Sequence, residues 1–344
     1  MELWAAILMG AAIAFAVAFG LGFVVIPWLH KLKFGQTILD IGPSWHKKKQ
    51  GTPTMGGILI IAGFGVALAA VLITDKIRGG DLVAEGNGIS PDSLRVKVYA
   101  GILMALAFTF IGFVDDYIKV VKKRNLGLTE LQKTVMQILV MASYMFTLWH
   151  FAGVRGMFIP YVGYVESGIL FWGVGMVALY ATVNAVNFTD GVDGLCASVT
   201  ATAAVGLSVV AILRGFLGVS VVSACLFGAL AGYLIWNWNP SKVIMGDLGS
   251  FFLGGMVCAL TFALDAPWLI LLVGVIYVAE FGSDLLQIAY IKTHNGKKLF
   301  RMAPIHHHYE MGGWSEKRIC VVFSLVTALG CAAAVALTYF GAPV

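Results

Sequence analysis

The sequence predicts an all-α integral membrane protein of about ten transmembrane helices, and three observations carry that prediction. Of 344 residues, 59% are hydrophobic and only 12% are charged, about half the charged share of a soluble domain. Apolar stretches of about 20 residues, long enough to cross a hydrocarbon core, recur from one end of the chain to the other. Lys and Arg gather in alternate loops, as the positive-inside rule requires of a multi-pass protein.

The apolar stretches place spans at about 3–29, 54–74, 96–116, 130–150, 169–188, 194–213, 219–237, 248–264, 267–290 and 318–340. No Ser/Pro-rich linker separates them, so residues 1–344 read as a single polytopic domain. The first stretch lacks a small-residue cleavage site and reads as a span, not a signal peptide. With ten spans, the loops 30–53, 117–133, 189–193, 238–247 and 291–317, with flanking Arg318, hold 17 of the 23 basic residues. These loops are expected on the cytoplasmic side, with both termini outside. Cys196, Cys225, Cys258, Cys320 and Cys331 have neither metal nor redox spacing and read as packing thiols.

Ionisable residues at span ends are costly unless paired or solvated, and four such groups fall on the basic face. The first is Asp115-Asp116-Tyr-Ile-Lys119, ending span three. Adjacent carboxylates repel, and a cation relieves the repulsion. On a helix the two Asp point about 100° apart, while Asp115 and Lys119 share a face. With Lys122, Lys123 and Arg124 alongside, this favours a Mg²⁺–phosphate site over a plain helix-end salt bridge.

The second group, Asn184 to Gly194, includes Asn187, Asp190, Gly191, Val192 and Asp193. It holds more hydrogen-bonding groups than a tight turn needs, and suits sugar, base and ion contacts. The third runs from Asn237 to Ser250. Asp247 there is placed to cap a helix starting at Leu248 and to supply a third carboxylate for a hard cation. The fourth, Pro304 to Glu310, carries His306, His307 and His308. In an extended chain these face alternate sides, against one shared ion, so they read as phosphate-binding or proton-relaying groups. Two weaker signals are the basic run Lys47-Lys48-Lys49, followed by the Thr52–Gly57 turn, and Thr129 with Lys133 at the start of span four, where Thr129 suits an N-cap.

Carboxylates, lysines and histidines thus converge on one membrane face, the inventory that a diphosphate held by Mg²⁺ and Lys requires. A transporter would instead place charges near the midplane of related halves, and no repeat relates the halves here.

These motifs identify a resemblance over essentially the whole chain. Thr52-Pro-Thr-Met-Gly-Gly57, Asp115-Asp-Tyr-Ile-Lys119, Asn187-Phe-Thr-Asp-Gly-Val-Asp-Gly-Leu195, Met245-Gly-Asp-Leu-Gly-Ser250 and Pro304-Ile-His-His-His-Tyr-Glu310 resemble, in this order, the polyprenyl-phosphate N-acetylhexosamine-1-phosphate transferases. The Thr-Pro-Thr-Met-Gly-Gly turn and the His run point to the muramoyl-pentapeptide branch. The N-acetylglucosamine-1-phosphate branch is the nearest alternative.

The resemblance implies a Mg²⁺-dependent reaction of undecaprenyl phosphate with UDP-N-acetylmuramoyl-pentapeptide at the cytoplasmic face of the bacterial inner membrane, giving lipid I and UMP. It implies ten spans, surrounding membrane lipid, a homodimer and no nucleic-acid partner. Asp247, with Asp115 and Asp116, resembles the metal and catalytic carboxylates, and His306 and His307 the essential histidines. Asp190, Asp193 and Asn237 resemble nucleotide and diphosphate contacts, with Gly191 and Val192 lining the uridine pocket. Lys133 and one lysine of 47–49, taken as Lys47, resemble phosphate-binding lysines. Thr52, Lys119, Asn187 and His308 complete the expected substrate-binding set. Direct attack by the lipid phosphate is the expected route, with a covalent aspartyl-phosphate as the alternative.

Overall fold

Without water in the hydrocarbon, a spanning segment must satisfy its backbone internally, so long apolar stretches become helices. The computed structural model describes residues 1–32, 51–86, 88–121 and 127–341. Its long helices are α1 (Leu3–Lys31), α2 (Gly57–Ile77), α3 (Pro91–Val121), α4 (Glu130–His150), α5 (Ile169–Thr189), α6 (Leu195–Leu213), α7 (Leu217–Asn237) and α8 (Gly246–Ala263). A hairpin of β1 (Gly156–Ile159) and β2 (Gly163–Glu166) lies between α4 and α5, with Met157 opposite Val165. After α8 come the short α9 (Ile270–Val273), α10 (Val275–Thr293), the six-residue α11 (Ile305–Glu310) and α12 (Glu316–Phe340).

Each predicted stretch is therefore helical. Among the described residues, eight helices are long and apolar enough to cross a membrane, and nine if one bent pair forms a single span. The two departures have physical reasons. Helix α4 has the length of a span, but Glu130, Gln132, Lys133 and Gln137 in its first half keep it out of that group. The expected span at 267–290 is broken: Pro267–Val273 and Val275–Thr293 meet at 85°, across Gly274.

Packing follows side-chain size. Helix α1 buries Ala6, Gly10, Ala14, Ala18 and Gly22, every fourth residue, while Trp4, Leu8, Phe23 and Trp28 stay exposed. Small residues at this spacing let membrane helices approach closely, and α1 lies along α2 and α7. Helix α8 is buried on nearly every side, with α3 and α5 against it. Among the described residues the five cysteines form no disulfide, and all are buried.

The two ends of the bundle differ. Near the hairpin, Lys97 forms a buried ion pair with Asp265 at 2.6 Å, and the Trp268 indole donates to Phe158 O at 2.7 Å. The other end carries the polar motifs.

Candidate active site

Four helix ends build this site: the C-terminal turns of α3 and α5, and the first turns of α4 and α8. Helices α3 and α8 come close at Gly112, where any Cβ would run into the carbonyl oxygen of Asp247. That approach sets Asp115 and Asp116 beside the first turn of α8. One oxygen from each of Asp115, Asp116 and Asp247 lies within 4.8 Å of the other two.

Two lysines thread between these carboxylates. Lys119 Nζ is 2.6 Å from Asp115 Oδ2 and 3.0 Å from Asp247 Oδ2, so the shared face expected for Asp115 and Lys119 is present. Lys133 Nζ lies 3.3 Å from Asp115 Oδ1 and 3.2 Å from Asp247 Oδ2. Thr129 caps α4 as its type suggested: its side chain accepts from Gln132 N–H at 3.2 Å, and Gln132 Oε1 accepts from Thr129 N–H at 3.0 Å. That capping box fixes the turn from which Lys133 projects.

Asp247 does not cap its own helix. Asp116 does so from α3, accepting from Leu248 N–H at 3.0 Å. Asp247 lies within the first turn, and its Oδ1 accepts from Asn187 Nδ2 at 3.0 Å. Asn187 Nδ2 also reaches Ser250 Oγ at 2.8 Å. Asp115 Oδ1 accepts from Leu128 N–H at 2.8 Å. Each of the three carboxylates is thus held in orientation by a group from another element.

Three acidic oxygens this close suit a hard divalent cation, which takes oxygen ligands. With all three ionised, the carboxylates outnumber the two ammonium groups by one charge, which also favours a cation.

The turn 190–194 lies between α5 and α6. Burial, and then the negative charges of Asp247, Asp116 and Asp193, push the Asp190 carboxyl well above the usual carboxylate range. Gly191 is half-buried, whereas Val192 is only 3% exposed and joins the hydrophobic core. Asp193 and Asn237 brace this turn. Asp193 Oδ2 accepts from Asn239 Nδ2 at 3.2 Å and from Ser241 N–H at 3.1 Å, and Asp193 N–H donates to Glu316 Oε2 at 2.9 Å. Asn237 Oδ1 accepts from Gly194 N–H at 3.0 Å, and its Nδ2 donates to Val243 O at 2.9 Å.

Backbone pairing brings the Thr52–Gly57 turn alongside. Ile244 N–H donates to Pro53 O, and Gly56 N–H donates to Ile244 O, both at 2.8 Å. Thr52 is half-buried next to this pairing. Lys47, with the rest of its basic run, lies outside the described residues, as do Lys122, Lys123 and Arg124.

The three histidines are helical, on α11, rather than extended, and each ring has its own partner. His306 Nδ1 is 2.9 Å from Glu280 Oε2, and His307 Nδ1 is 3.0 Å from Glu310 Oε2. His308 Nδ1 accepts from Arg301 N–H at 3.2 Å. Glu280 escaped the sequence reading, although an acid inside an apolar stretch is itself a signal. Of the groups that brace Asp193, Asn239 and Ser241 fall within the Asn237–Ser250 motif without having been singled out, and Glu316 carried no comparable signal.

Residues 98–265 match the profile described as glycosyl transferase family 4, and residues 49–61 match phospho-N-acetylmuramoyl-pentapeptide-transferase signature 1. A phospho-N-acetylmuramoyl-pentapeptide-transferase of Listeria welshimeri is 39% identical over 338 residues, covering 95% of this chain and 97% of that protein. Proteins of the same name from Bacillus mycoides and Clostridium perfringens are each 38% identical, covering 92% and 94% of this chain and 93% and 94% of their own lengths. The chain belongs to the phospho-N-acetylmuramoyl-pentapeptide-transferase family. Within this membrane transferase, the broad profile takes in the carboxylate cluster, both of its lysines and the 190–194 turn. The signature takes in the turn that pairs with Ile244. Glu280 and the histidines of α11 lie beyond both.

Proposed function

We propose that this chain transfers phospho-N-acetylmuramoyl-pentapeptide from its UDP-linked donor to undecaprenyl phosphate, yielding lipid I and UMP for peptidoglycan synthesis. It works with Mg²⁺, as one polytopic domain and as a homodimer, at the cytoplasmic face of the bacterial inner membrane. The observation that carries this reading is the Asp115–Asp116–Asp247 cluster laced with Lys119 and Lys133, at the bundle end that carries the polar motifs.

An oxygen of the lipid phosphate bonds to the phosphorus bearing the sugar. The bond from that phosphorus to the bridging oxygen breaks, and UMP leaves with that oxygen. The nucleophile is already anionic, so the main obstacle is repulsion between phosphates, and catalysis is positioning plus electrostatics. Asp115, Asp116 and Asp247 would hold Mg²⁺, which when bound would supply charge neutralisation at the diphosphate. Lys119 and Lys133, which pair with the carboxylates in this structure, turn their ammonium groups to the phosphates when the donor binds. Asn187 keeps Asp247 aimed at the cluster. Asp190 and Gly191 meet the nucleotide, while Asp193 and Asn237 hold their turn in place.

The test is UMP release by purified protein in detergent, given undecaprenyl phosphate, UDP-N-acetylmuramoyl-pentapeptide and Mg²⁺, with EDTA and Asp247→Ala as controls. Release that requires the lipid, the metal and Asp247 supports the assignment. Release from UDP-N-acetylglucosamine instead would move the chain to the sister branch. Release from neither donor sinks it.

A further inference from the structure

Glu280 lies within α10, its side chain fully buried at 0% exposure. A carboxylate there is costly without a partner, and His306 provides one. The ring Nδ1 is 2.9 Å from Glu280 Oε2, and the His306 backbone N–H is 3.4 Å from the same oxygen. Glu280 Oε1 has no hydrogen-bond partner among the described residues. His306, itself 1% exposed, is thus the residue on which the carboxylate depends.

The other ring nitrogen matters for what this pair does. His306 Nε2 also has no hydrogen-bond partner among the described residues. It faces Gly191, where any Cβ would run into Nε2 and Cε1. The ring is therefore wedged between a carboxylate on α10 and the backbone of the 190–194 turn. A proton on Nδ1 is what Glu280 can accept, and the ring then presents Nε2 toward Gly191. With the opposite tautomer, the Nδ1 lone pair would face a carboxylate oxygen. His308 shows the contrast: its Nδ1 accepts from Arg301 N–H, which puts the proton of a neutral ring on Nε2.

We infer that Glu280 is a positioning residue for donor recognition: it fixes the ring and tautomer of His306, which in turn sets the turn at Gly191. Glu280 touches no substrate and acts only through His306. The inference rests on the reading of Asp190 and Gly191 as nucleotide contacts. It also explains why residue 191 is a glycine, since the imidazole occupies the space that a side chain would need.

The experiment is a double-mutant cycle on the full chain in detergent. UMP release gives kcat and KM for UDP-N-acetylmuramoyl-pentapeptide, and size-exclusion chromatography gives the folded fraction. Glu280→Ala is expected to raise KM about 10- to 100-fold, as loss of an outer-shell partner commonly does. Adding it to His306→Ala should change kcat/KM by less than about twofold, because both variants remove one interaction. Glu280→Gln keeps an oxygen that accepts from Nδ1–H and should recover most of the loss, which a merely space-filling role does not predict. Losses that multiply in the double variant, or a Gln variant as impaired as Ala, overturn the inference. Should Ala at position 280 not fold, the same cycle with Glu280→Met and His306→Leu keeps the side-chain volumes close while removing the interaction from either side, and multiplying losses there overturn it equally. Asp190→Ala, which removes the contact outright, is the separate arm: an unchanged KM for the donor sinks the nucleotide-contact reading, whichever way the cycle turns out.

Discussion

Asp116, near the end of α3, accepts a hydrogen bond from Leu248 N–H at 3.0 Å and so caps α8 from a neighbouring helix. The same carboxylate belongs to the acidic cluster, and two variants separate the roles. Asn at position 116 can still accept from Leu248, whereas Ala leaves a buried donor unpaired, at about 1–2 kcal/mol. Asp116→Ala should therefore melt below Asp116→Asn in a thermal-shift measurement, while both lose UMP release to a similar extent. Equal melting temperatures would refute the capping role.

Lys119 and Lys133 both lie within hydrogen-bonding distance of Asp247 Oδ2, so a divalent cation must compete with them in the substrate-free protein. A unit charge about 4 Å away is worth roughly 4 kcal/mol at an effective dielectric near 20. Lys119→Met should bind Mn²⁺ at least about tenfold more tightly than the unmodified chain, read by electron paramagnetic resonance without donor. UMP release should nevertheless fall, because the lysine is lost to the phosphates. Weaker Mn²⁺ binding would show that Lys119 does not compete for the carboxylates.

How much of this was legible in the sequence depended on distance along the chain. Asp115 and Lys119 are four residues apart, and helical geometry alone puts them on one face. That Lys133 and Asp247 join them was expected from their shared membrane face and from the family resemblance, not from helical geometry, because Asp247 is 114 residues beyond Lys133 and helix pairing is set by packing at positions such as Gly112. The motif spacing also suggested that Asp247 capped its own helix, since no local signal marks a cap supplied by α3. The apolar stretch at 267–290 read as one span because hydropathy is blind to an 85° break. It hid Glu280 for the same reason: Glu280 and Asp284 barely shift the average, and the partner of Glu280 lies 26 residues away, in another helix.

Asn187 Nδ2 bridges Asp247 Oδ1 and Ser250 Oγ, which makes its contribution one of aim. Asn187→Ala should lower kcat about 10- to 100-fold with little change in melting temperature. Asn187→Asp should be at least as impaired, since it sets a fourth carboxylate beside Asp247. An Asp variant more active than the Ala variant would argue that residue 187 meets a cation rather than orienting Asp247.

Asp190 gives a pH signature. Its carboxyl is held above the usual range by burial and by Asp247, Asp116 and Asp193, so the folded state holds a proton that the unfolded state has already released. Stability from this group is fully present at or below the ordinary carboxylate range and is lost as pH rises through the elevated value. Asp190→Asn removes that loss. The variant should melt above the unmodified chain at about pH 8, and the gap should shrink as pH falls toward about 4. A gap that widens on acidification would reverse the sign and contradict the assigned environment.

The buried pair at the opposite end of the bundle serves stability without touching the chemistry. Lys97 Nζ meets Asp265 Oδ2 at 2.6 Å, with both side chains almost wholly out of solvent. Breaking such a pair from one side costs about 3–5 kcal/mol, because a charge is left buried and alone, whereas replacing both partners with apolar groups is often neutral. Lys97→Met should therefore lower the melting temperature sharply, and Lys97→Met with Asp265→Leu should restore much of it. Because this pair sits near the hairpin and the carboxylate cluster lies at the other end, UMP release per folded molecule should stay within about twofold of the unmodified chain in both variants, as expected of sites too distant to couple. A loss of turnover in the folded fraction would mean that the two ends of α3, which carries both Lys97 and Asp115, are mechanically linked.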